Sequence, residues 1–261
     1  MSWSRVDGES GADRPRLLVA DRPRLPVADR PRLLVATRSA HKLRELRELL
    51  HLEHGDLVSL DDLEIPGDPE ETGLTFRTNA AIKARFGAWA SGLATLADDS
   101  GLEVDALDGG PGVRTRRYAG EQATDTDNNQ MLLSVLVGLP PERRGARYVC
   151  VLALAIPLAG AGAGAGAAEA VAGAGAAEAV DAATGPRGSL PVVFTRGTCR
   201  GRIATEPRGT GGFGYDPIFE PRSEPPGGRT LGLWTPAEKH AISHRARAAS
   251  RMAPRLADLG F

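Results

Sequence analysis

The chain has 261 residues, with 32 Lys and Arg against 33 Asp and Glu and a formal net charge of −1. This balance produces no strong field of either sign, so the composition does not favour binding to nucleic acid or to a membrane surface. The cysteines, Cys150 and Cys199, fit no metal-ligand spacing, which together with the absence of an apolar leader segment leads us to expect a cytoplasmic protein.

The chain begins with an octad repeat at Asp13–Ala20, Asp21–Ala28 and Asp29–Ala36. Only the third copy continues into candidate functional residues, so Leu33–Ala36 is predicted to be the first strand. The prolines and arginines of residues 1–31 predict a disordered arm before a compact domain at 32–261. A nucleic-acid-binding arm is disfavoured because every copy carries its own Asp.

Six residues connect the first strand to a helix that is predicted at 41–50. At such a junction, free backbone N–H groups and the positive helix end form an anion site. The alternative is an ordinary helix N-cap, and the residues alone do not decide between the two. The six residues are Thr37, Arg38, Ser39, Ala40, His41 and Lys42.

A second helix is predicted at Thr75–Ser91, with Asn79 and Lys83 on one face. Glu71 lies just before it. Acids before a helix commonly interact with its dipole and an Asn–Lys pair is commonly solvated, so this pattern alone favours a structural role.

The apolar run Leu93–Ala97 predicts a buried strand that ends at Asp98, Asp99 and Ser100. Doubled acids at a strand end are a plausible divalent-cation site, where Asp99 could orient or deprotonate water. The alternative is an Asx-turn. Further on, Arg116 either lines a polyphosphate channel or faces solvent.

The next predicted elements are a helix at Thr126–Val137 and strands at Tyr148–Ile156 and Pro191–Phe194. The helix is expected to direct Met131, Leu132, Val135 and Leu136 inward. An Ala/Gly-rich insertion at 159–188 separates the two strands. Its glycines disfavour a stable helix, and it is too weakly apolar to span a membrane, so we expect a surface loop.

Near the C-terminus, a glycine-rich turn presents a ring and a carboxylate. It contains Phe213, Gly214, Tyr215 and Asp216. The ring could stack on a base, and Asp216 could accept a hydrogen bond from a base or ribose. A final helix is predicted at Pro236–Leu259, carrying Lys239, His244 and Arg245. Strands and helices interleave, so the fold class is α/β with a mixed sheet.

Taken in order, the motifs resemble those of the non-canonical purine nucleoside triphosphate pyrophosphatases, also called inosine triphosphate pyrophosphatases. The resemblance covers residues 32–259 except the insertion. It rests on Glu71–Phe76, Asn79-Ala80, Lys83–Arg85, Leu96–Leu107, Arg117–Glu121, Gly211–Phe219 and Ile242–Arg245.

This resemblance implies an elongated mixed sheet with flanking helices and two lobes around a central cleft. It also implies a Mg²⁺-dependent homodimer that converts ITP, dITP or XTP to the monophosphate and pyrophosphate. Asp99 matches the catalytic proton acceptor and metal ligand, and Glu71 matches a second metal ligand. The remaining matches are to substrate-binding positions: Thr37–Lys42, Lys83, Ser100, Phe213–Asp216, Lys239, His244 and Arg245.

The first loop departs from the family pattern of Ser/Thr-Gly-Asn-x-x-Lys. Ser39 replaces an amide that commonly positions the phosphates and the metal, and Arg38 could compensate electrostatically. Thr78 also stands where an acid often precedes Asn79. A nucleotide-binding protein without efficient catalysis therefore remains the second hypothesis. The enzyme hypothesis requires Asp99 and the pair at 244–245 to face opposite ends of one cleft.

Overall fold

The computed structural model describes residues 30–157 and 190–261. The predicted insertion at 159–188 and residues 1–29 of the predicted arm lie outside the described residues. Within them, the strands and helices are β1 (Arg32–Val35), α1 (Ala40–Leu50), β2 (Asp56–Ser59), α2 (Phe76–Ser91), β3 (Thr95–Val104), α3 (Asp125–Val135), β4 (Gly145–Ala155), β5 (Val192–Ile203), β6 (Phe219–Pro221), α4 (Pro236–Ile242) and α5 (His244–Asp258).

The strands form one sheet in the order β2-β1-β3-β4-β5-β6. The first three run parallel, and β3 to β6 pair antiparallel. The α/β fold with a mixed sheet is therefore confirmed. None of the helices in the described ranges is long and apolar enough to cross a bilayer.

The central strand β4 is buried on both faces, which explains its nearly continuous apolar sequence. Alternate side chains enter different cores because successive strand residues point to opposite faces. Leu152 and Leu154 pack in the core beneath α1 and α5, whereas Val151 and Ala153 pack beneath α2. A third core, around Leu102, fills the antiparallel end of the sheet.

Strand β3 differs most from the sequence prediction. It was expected to end at the acids, but it continues through both of them to Val104, so the predicted strand end and the Asx-turn alternative are wrong. Charged side chains inside a strand are normally excluded by their desolvation cost. Here Asp98 is compensated by cations from other elements, which a local pattern does not reveal.

Two helix predictions are also corrected. In α3, Leu132 and Leu136 are buried as expected, but Met131 and Val135 are 41% and 47% exposed. The final helix is interrupted at Ser243, which adopts an extended conformation, ends α4 and caps α5 by accepting a hydrogen bond from the Ala246 N–H. This break places the pair at 244–245 in the first turn of α5.

Candidate functional site

The adjacent acids of β3 serve opposite faces of the sheet. Asp98 faces α1 and α5, where Arg245 Nε lies 3.0 Å from its Oδ2 and Lys42 Nζ lies 2.5 Å from its Oδ1. Burial opposes ionisation of Asp98, but these two cations outweigh it and hold its pKa well below the ordinary value. Asp98 is therefore an ionised structural anchor, although both Asp98 and Asp99 line the larger cavity.

Asp99 lies near α2, which supplies Lys83. The ammonium group of Lys83 is 2.7 Å from Asp99 Oδ1 and 3.2 Å from Glu71 Oε1. Burial raises the pKa of Asp99 despite the opposing charge of Lys83. Glu71 is held nearby because the Gly73 N–H donates to Asn79 Oδ1 at 2.8 Å. Asn79 is thus a buried support of this segment rather than a solvated residue.

The N-cap interpretation of the first loop is confirmed at Ser39. Its hydroxyl caps α1 by accepting a hydrogen bond from the Lys42 N–H at 3.4 Å, and its own N–H donates to Thr37 Oγ1 at 3.2 Å. The loop also lines a cavity. The anion site at the same residues stays a prediction.

Arg38 extends from this loop to the segment after β2. Its Nε lies 3.1 Å from Asp68 Oδ2 and its Nη1 contacts Asp61 Oδ1. Its Nη2 donates to the carbonyl groups of Ile65 and Gly67 at 2.8 and 2.7 Å. The positive charge of Arg38 is therefore already balanced within the protein.

A chain of buried charges connects the sheet to the C-terminal helices. Glu45 of α1 contacts Arg245 and lies 3.1 Å from Lys239 Nζ, which is also 2.8 Å from Asp216 Oδ2. Burial of Glu45 opposes its charge, but Arg245 and Lys239 lower its pKa. Glu45 was not predicted as a site residue, because in the sequence it occupies an ordinary polar position of an amphipathic helix.

Asp216 stabilises the glycine-rich turn to which it belongs, Phe213–Asp216, here called the Phe213 turn. Asp216 accepts a hydrogen bond from the Phe213 N–H at 2.9 Å and another from the Tyr148 hydroxyl at 3.2 Å. The Phe213 ring stacks on His41 with a centroid separation of 5.2 Å, and Lys239 Nζ lies 4.3 Å from its centroid. The ring is therefore held at the cavity wall by polar groups behind it.

Helix α3 holds the same turn from the other side. Asp125 Oδ2 accepts from the Gly214 N–H at 2.7 Å, and Asn129 Nδ2 donates to the Gly214 carbonyl at 3.1 Å. Gly214 has a φ of 62°, a left-handed conformation that glycine adopts without strain. Tyr215 is buried and donates its hydroxyl hydrogen to the Thr115 carbonyl at 2.8 Å.

His244 lies flat against Tyr148, with ring centroids 4.8 Å apart and an interplanar angle of 9°. Burial, reinforced by the neighbouring charge of Arg245, lowers the pKa of His244 well below 6.5. The imidazole is therefore neutral at pH 7, with one ring nitrogen able to donate and the other able to accept.

The site consists of two adjoining cavities, of about 160 and 620 Å³. The smaller is lined by Phe213, Lys239 and His244, and the larger by Asp99 and Glu71. Every site residue predicted from the sequence lines at least one of them, with His244 and Arg245 on the smaller cavity and Asp99 on the larger. The shared wall is formed by Ser39, His41, Lys42, Ser100, Thr115 and Arg116.

Several wall residues were absent from the predicted set. Thr115 and Asp125 support the Phe213 turn and also line the smaller cavity. Tyr148 lies in the apolar run of β4, where its ring looks like a simple core residue. Only Arg116 carried a sequence signal, as one of two adjacent arginines after a glycine-rich turn.

Comparison with known proteins gives consistent matches. The model of the Ham1 family matches residues 33–255. The chain is 42% identical over 226 residues to a dITP/XTP pyrophosphatase of Nocardia farcinica, covering 85% of this chain and 93% of that protein. It is 43% identical over 212 residues to one from Shigella flexneri, covering 81% and 91%. A solved HAM1 protein from Coxiella burnetii has a TM-score of 0.68 and 36% identity, covering 87% of this chain and 99% of the other.

Proposed function

Because the chain belongs to the Ham1 family, we propose that it hydrolyses non-canonical purine nucleoside triphosphates to the monophosphate and pyrophosphate. ITP, dITP and XTP are the proposed substrates, and the reaction clears deaminated nucleotides from the pool. One observation carries the proposal. A cavity with an aromatic ring and buried polar groups adjoins a larger cavity with a carboxylate–lysine centre, and the two share six wall residues.

The smaller cavity is the proposed base site, with Phe213 stacking on the purine. A 6-keto purine presents an acceptor at position 6, where adenine presents an amino group. Each of the three nitrogens of the buried Arg245 guanidinium already donates a hydrogen bond, to Asp98, Glu45 and Ser100. We therefore assign the contact with the keto group to the neutral His244 and a positioning role to Arg245. A buried donor left unpaired can cost a factor of about 10⁴ in discrimination.

The larger cavity is the proposed triphosphate site. Backbone N–H groups at the start of α1 face it, and Lys42 and Lys83 add positive charge. Thr37–His41 form the loop around the phosphates, and Ser100 contacts the substrate from β3. Burial disfavours the charge of Lys83, but Asp99 and Glu71 outweigh this effect and raise its pKa, so it remains cationic.

Asp99 and Glu71 fit a Mg²⁺ site, since one ammonium group already contacts an oxygen of each. The described residues contain no group of three or more His, Cys, Asp or Glu side chains suited to a metal. Two protein carboxylates are nevertheless what Mg²⁺ commonly uses, with phosphate oxygens and water completing the shell. When bound, the ion would neutralise phosphate charge and make a bound water more acidic.

In the proposed reaction, water attacks near the link between the first two phosphates and Asp99 accepts its proton. The burial that raises the pKa of Asp99 makes this carboxylate a stronger base. The two lysines stabilise the charge that develops as pyrophosphate leaves. Asp98, whose pKa is lowered by Arg245 and Lys42, is the weaker base of the two acids.

The test is a panel of ITP, dITP, XTP, dATP and dGTP with Mg²⁺, in which pyrophosphate and monophosphate are both quantified. Asp99→Asn should lower kcat by at least about 10³-fold, while its melting temperature stays within a few degrees of the wild type. Asp258→Asn, at an exposed ion pair at the end of α5, is the matched control and should retain full activity. Tight ITP binding by the wild type without turnover would instead support a nucleotide-binding protein.

We also propose that the protein is a cytoplasmic homodimer, as the resemblance implies. Both cysteines are free thiols, which suits a reducing compartment. Leu74 and Trp89, at 90% and 53% exposed, are large apolar side chains near α2 that an interface could cover. Light scattering at micromolar concentration measures the mass directly, and a monomer would exclude the dimer.

A further inference from the structure

The cations around the cleft differ in whether an acid already balances them. Six Lys or Arg side chains that line a cavity each have a carboxylate within 4.0 Å. These are Arg38, Lys42, Lys83, Arg117, Lys239 and Arg245. Arg116 lines both cavities, yet within residues 30–157 and 190–261 its guanidinium has neither a hydrogen bond nor an ion pair.

The backbone that carries Arg116 is held in place. Thr115 Oγ1 accepts a hydrogen bond from the Leu102 N–H at 3.0 Å, and Tyr215 donates to the Thr115 carbonyl at 2.8 Å. The Arg116 carbonyl itself accepts from Asn128 Nδ2 at 3.0 Å. The main chain is thus fixed to β3, to α3 and to the Phe213 turn, while the charged end of the side chain remains available.

The side chains of Arg38 and Ser39 in the first loop are already engaged within the protein. Ser39 uses its hydroxyl as the cap of α1, and Arg38 is bound by Asp61, Asp68 and two carbonyl groups. Arg38 is therefore poorly placed to compensate for the amide that Ser39 replaces. Arg116 lies on the wall common to both cavities, as does Lys42.

We propose that Arg116 binds the phosphate nearest the sugar, the group that spans the boundary between the two cavities. This inference rests on the proposed function, since it assumes a purine at one end and the carboxylate centre at the other. A guanidinium group is suited to this position because its parallel N–H groups can bind two oxygens of one phosphate. That phosphate remains on the monophosphate product, whereas the other two leave as pyrophosphate.

The experiment compares the wild type with Arg116→Ala, Arg116→Lys and the control Arg114→Ala. Arg114 lies two residues away in the same 3₁₀ segment, is exposed and lines neither cavity. For each protein, kcat and KM for dITP are measured, followed by the inhibition constants of dIMP and of inorganic pyrophosphate.

In Arg116→Ala, KM for dITP and the inhibition constant of dIMP should both rise by about 3- to 10-fold. The inhibition constant of pyrophosphate and kcat should stay within about twofold. Arg116→Lys should recover only part of the affinity, because an ammonium group supplies the charge but not the paired N–H groups, and added salt should reduce the difference between Arg116→Ala and the wild type. Arg114→Ala should match the wild type throughout.

If the wild type is active and Arg116→Ala has the same KM for dITP and the same inhibition constant of dIMP as Arg114→Ala, the inference is overturned but the proposed function is not. If the inhibition constant of pyrophosphate rose by the same factor as that of dIMP, the inference would also be overturned, because the contact would then involve a different phosphate. A wild type that hydrolyses none of the triphosphates would instead reject the proposed function.

Discussion

Gly197 of β5 offers a sharp test of how the backbone positions the candidate site. A Cβ atom there would lie 2.0 Å from the His244 carbonyl oxygen and 2.6 Å from the Ala248 nitrogen. Both are backbone atoms, so no side-chain rotation can relieve the clash. Ordinary contact begins at 3.4 Å, and the difference from 2.0 Å means that Gly197→Ala must displace the start of α5 by about 1.4 Å.

The displacement should affect both stability and function. Overpacking of this kind costs about 1–3 kcal/mol, which corresponds to a fall in melting temperature of roughly 3–10 °C for a domain of this size. Arg245 Nε lies 3.0 Å from Asp98, so a shift of that size would break the contact. Misplacement by about 1 Å can cost 10²-fold in rate, and a similar loss in kcat/KM for dITP is expected.

Gly201→Ala is the matched control, because it lies on the same strand but its Cβ would meet the Glu220 carbonyl oxygen of β6, at 2.2 Å. It should lose comparable stability while keeping most of its activity, when both variants are assayed well below their melting temperatures. If Gly197→Ala kept its melting temperature and its kcat/KM within twofold of the wild type, the proposed link between β5 and the site would be refuted.

Two further predictions concern the buried charges. Asp98→Ala should lower the free energy of unfolding by about 3–5 kcal/mol in urea titrations, because the buried Arg245 would keep only Glu45 as a carboxylate partner and Lys42 would lose Asp98, and a loss below about 1 kcal/mol would contradict this. The lowered pKa of His244 means that the unfolded chain binds a proton below pH 6.5 that the folded protein does not. Stability should therefore fall as the pH drops below 6.5, by at most about 1.4 kcal/mol per pH unit from this group, and His244→Gln should reduce that slope in unfolding measurements at pH 5 to 7. An identical slope in the variant would show that His244 does not contribute.

The alternating apolar patterns predicted the fold class well. The strand that became β4 and the helices that became α1 and α2 were placed within a few residues, because their burial is periodic and therefore visible locally. The two outward residues of α3, Met131 and Val135, were placed inward because hydrophobicity alone does not tell which apolar side chains a neighbouring element covers.

The candidate site was predicted in its members but not in its internal arrangement. Motif order identified residues that all line the two cavities. It gave no sign that Asp98 and Asp99 face opposite sides of a continuous strand. Nor did it show that Arg38 is bound by acids 23 and 30 residues further along the chain.

The sequence by itself determined the order of elements, the chemical groups of the cleft and the family to which the chain belongs, since each depends on local spacing. Only the tertiary structure decided which charges are balanced. Glu45 and Arg245, which contact each other, are 200 residues apart in the chain, and Lys239 of α4 contacts Asp216, 23 residues before it. Whether a cation is an anchor or is available to a ligand depends on such distant partners, because pairing and burial set the energy of a charge. For this reason Arg38 and Arg116, which are the same residue type, differ in the fold: Arg38 is bound by carboxylates and Arg116 is available to a ligand.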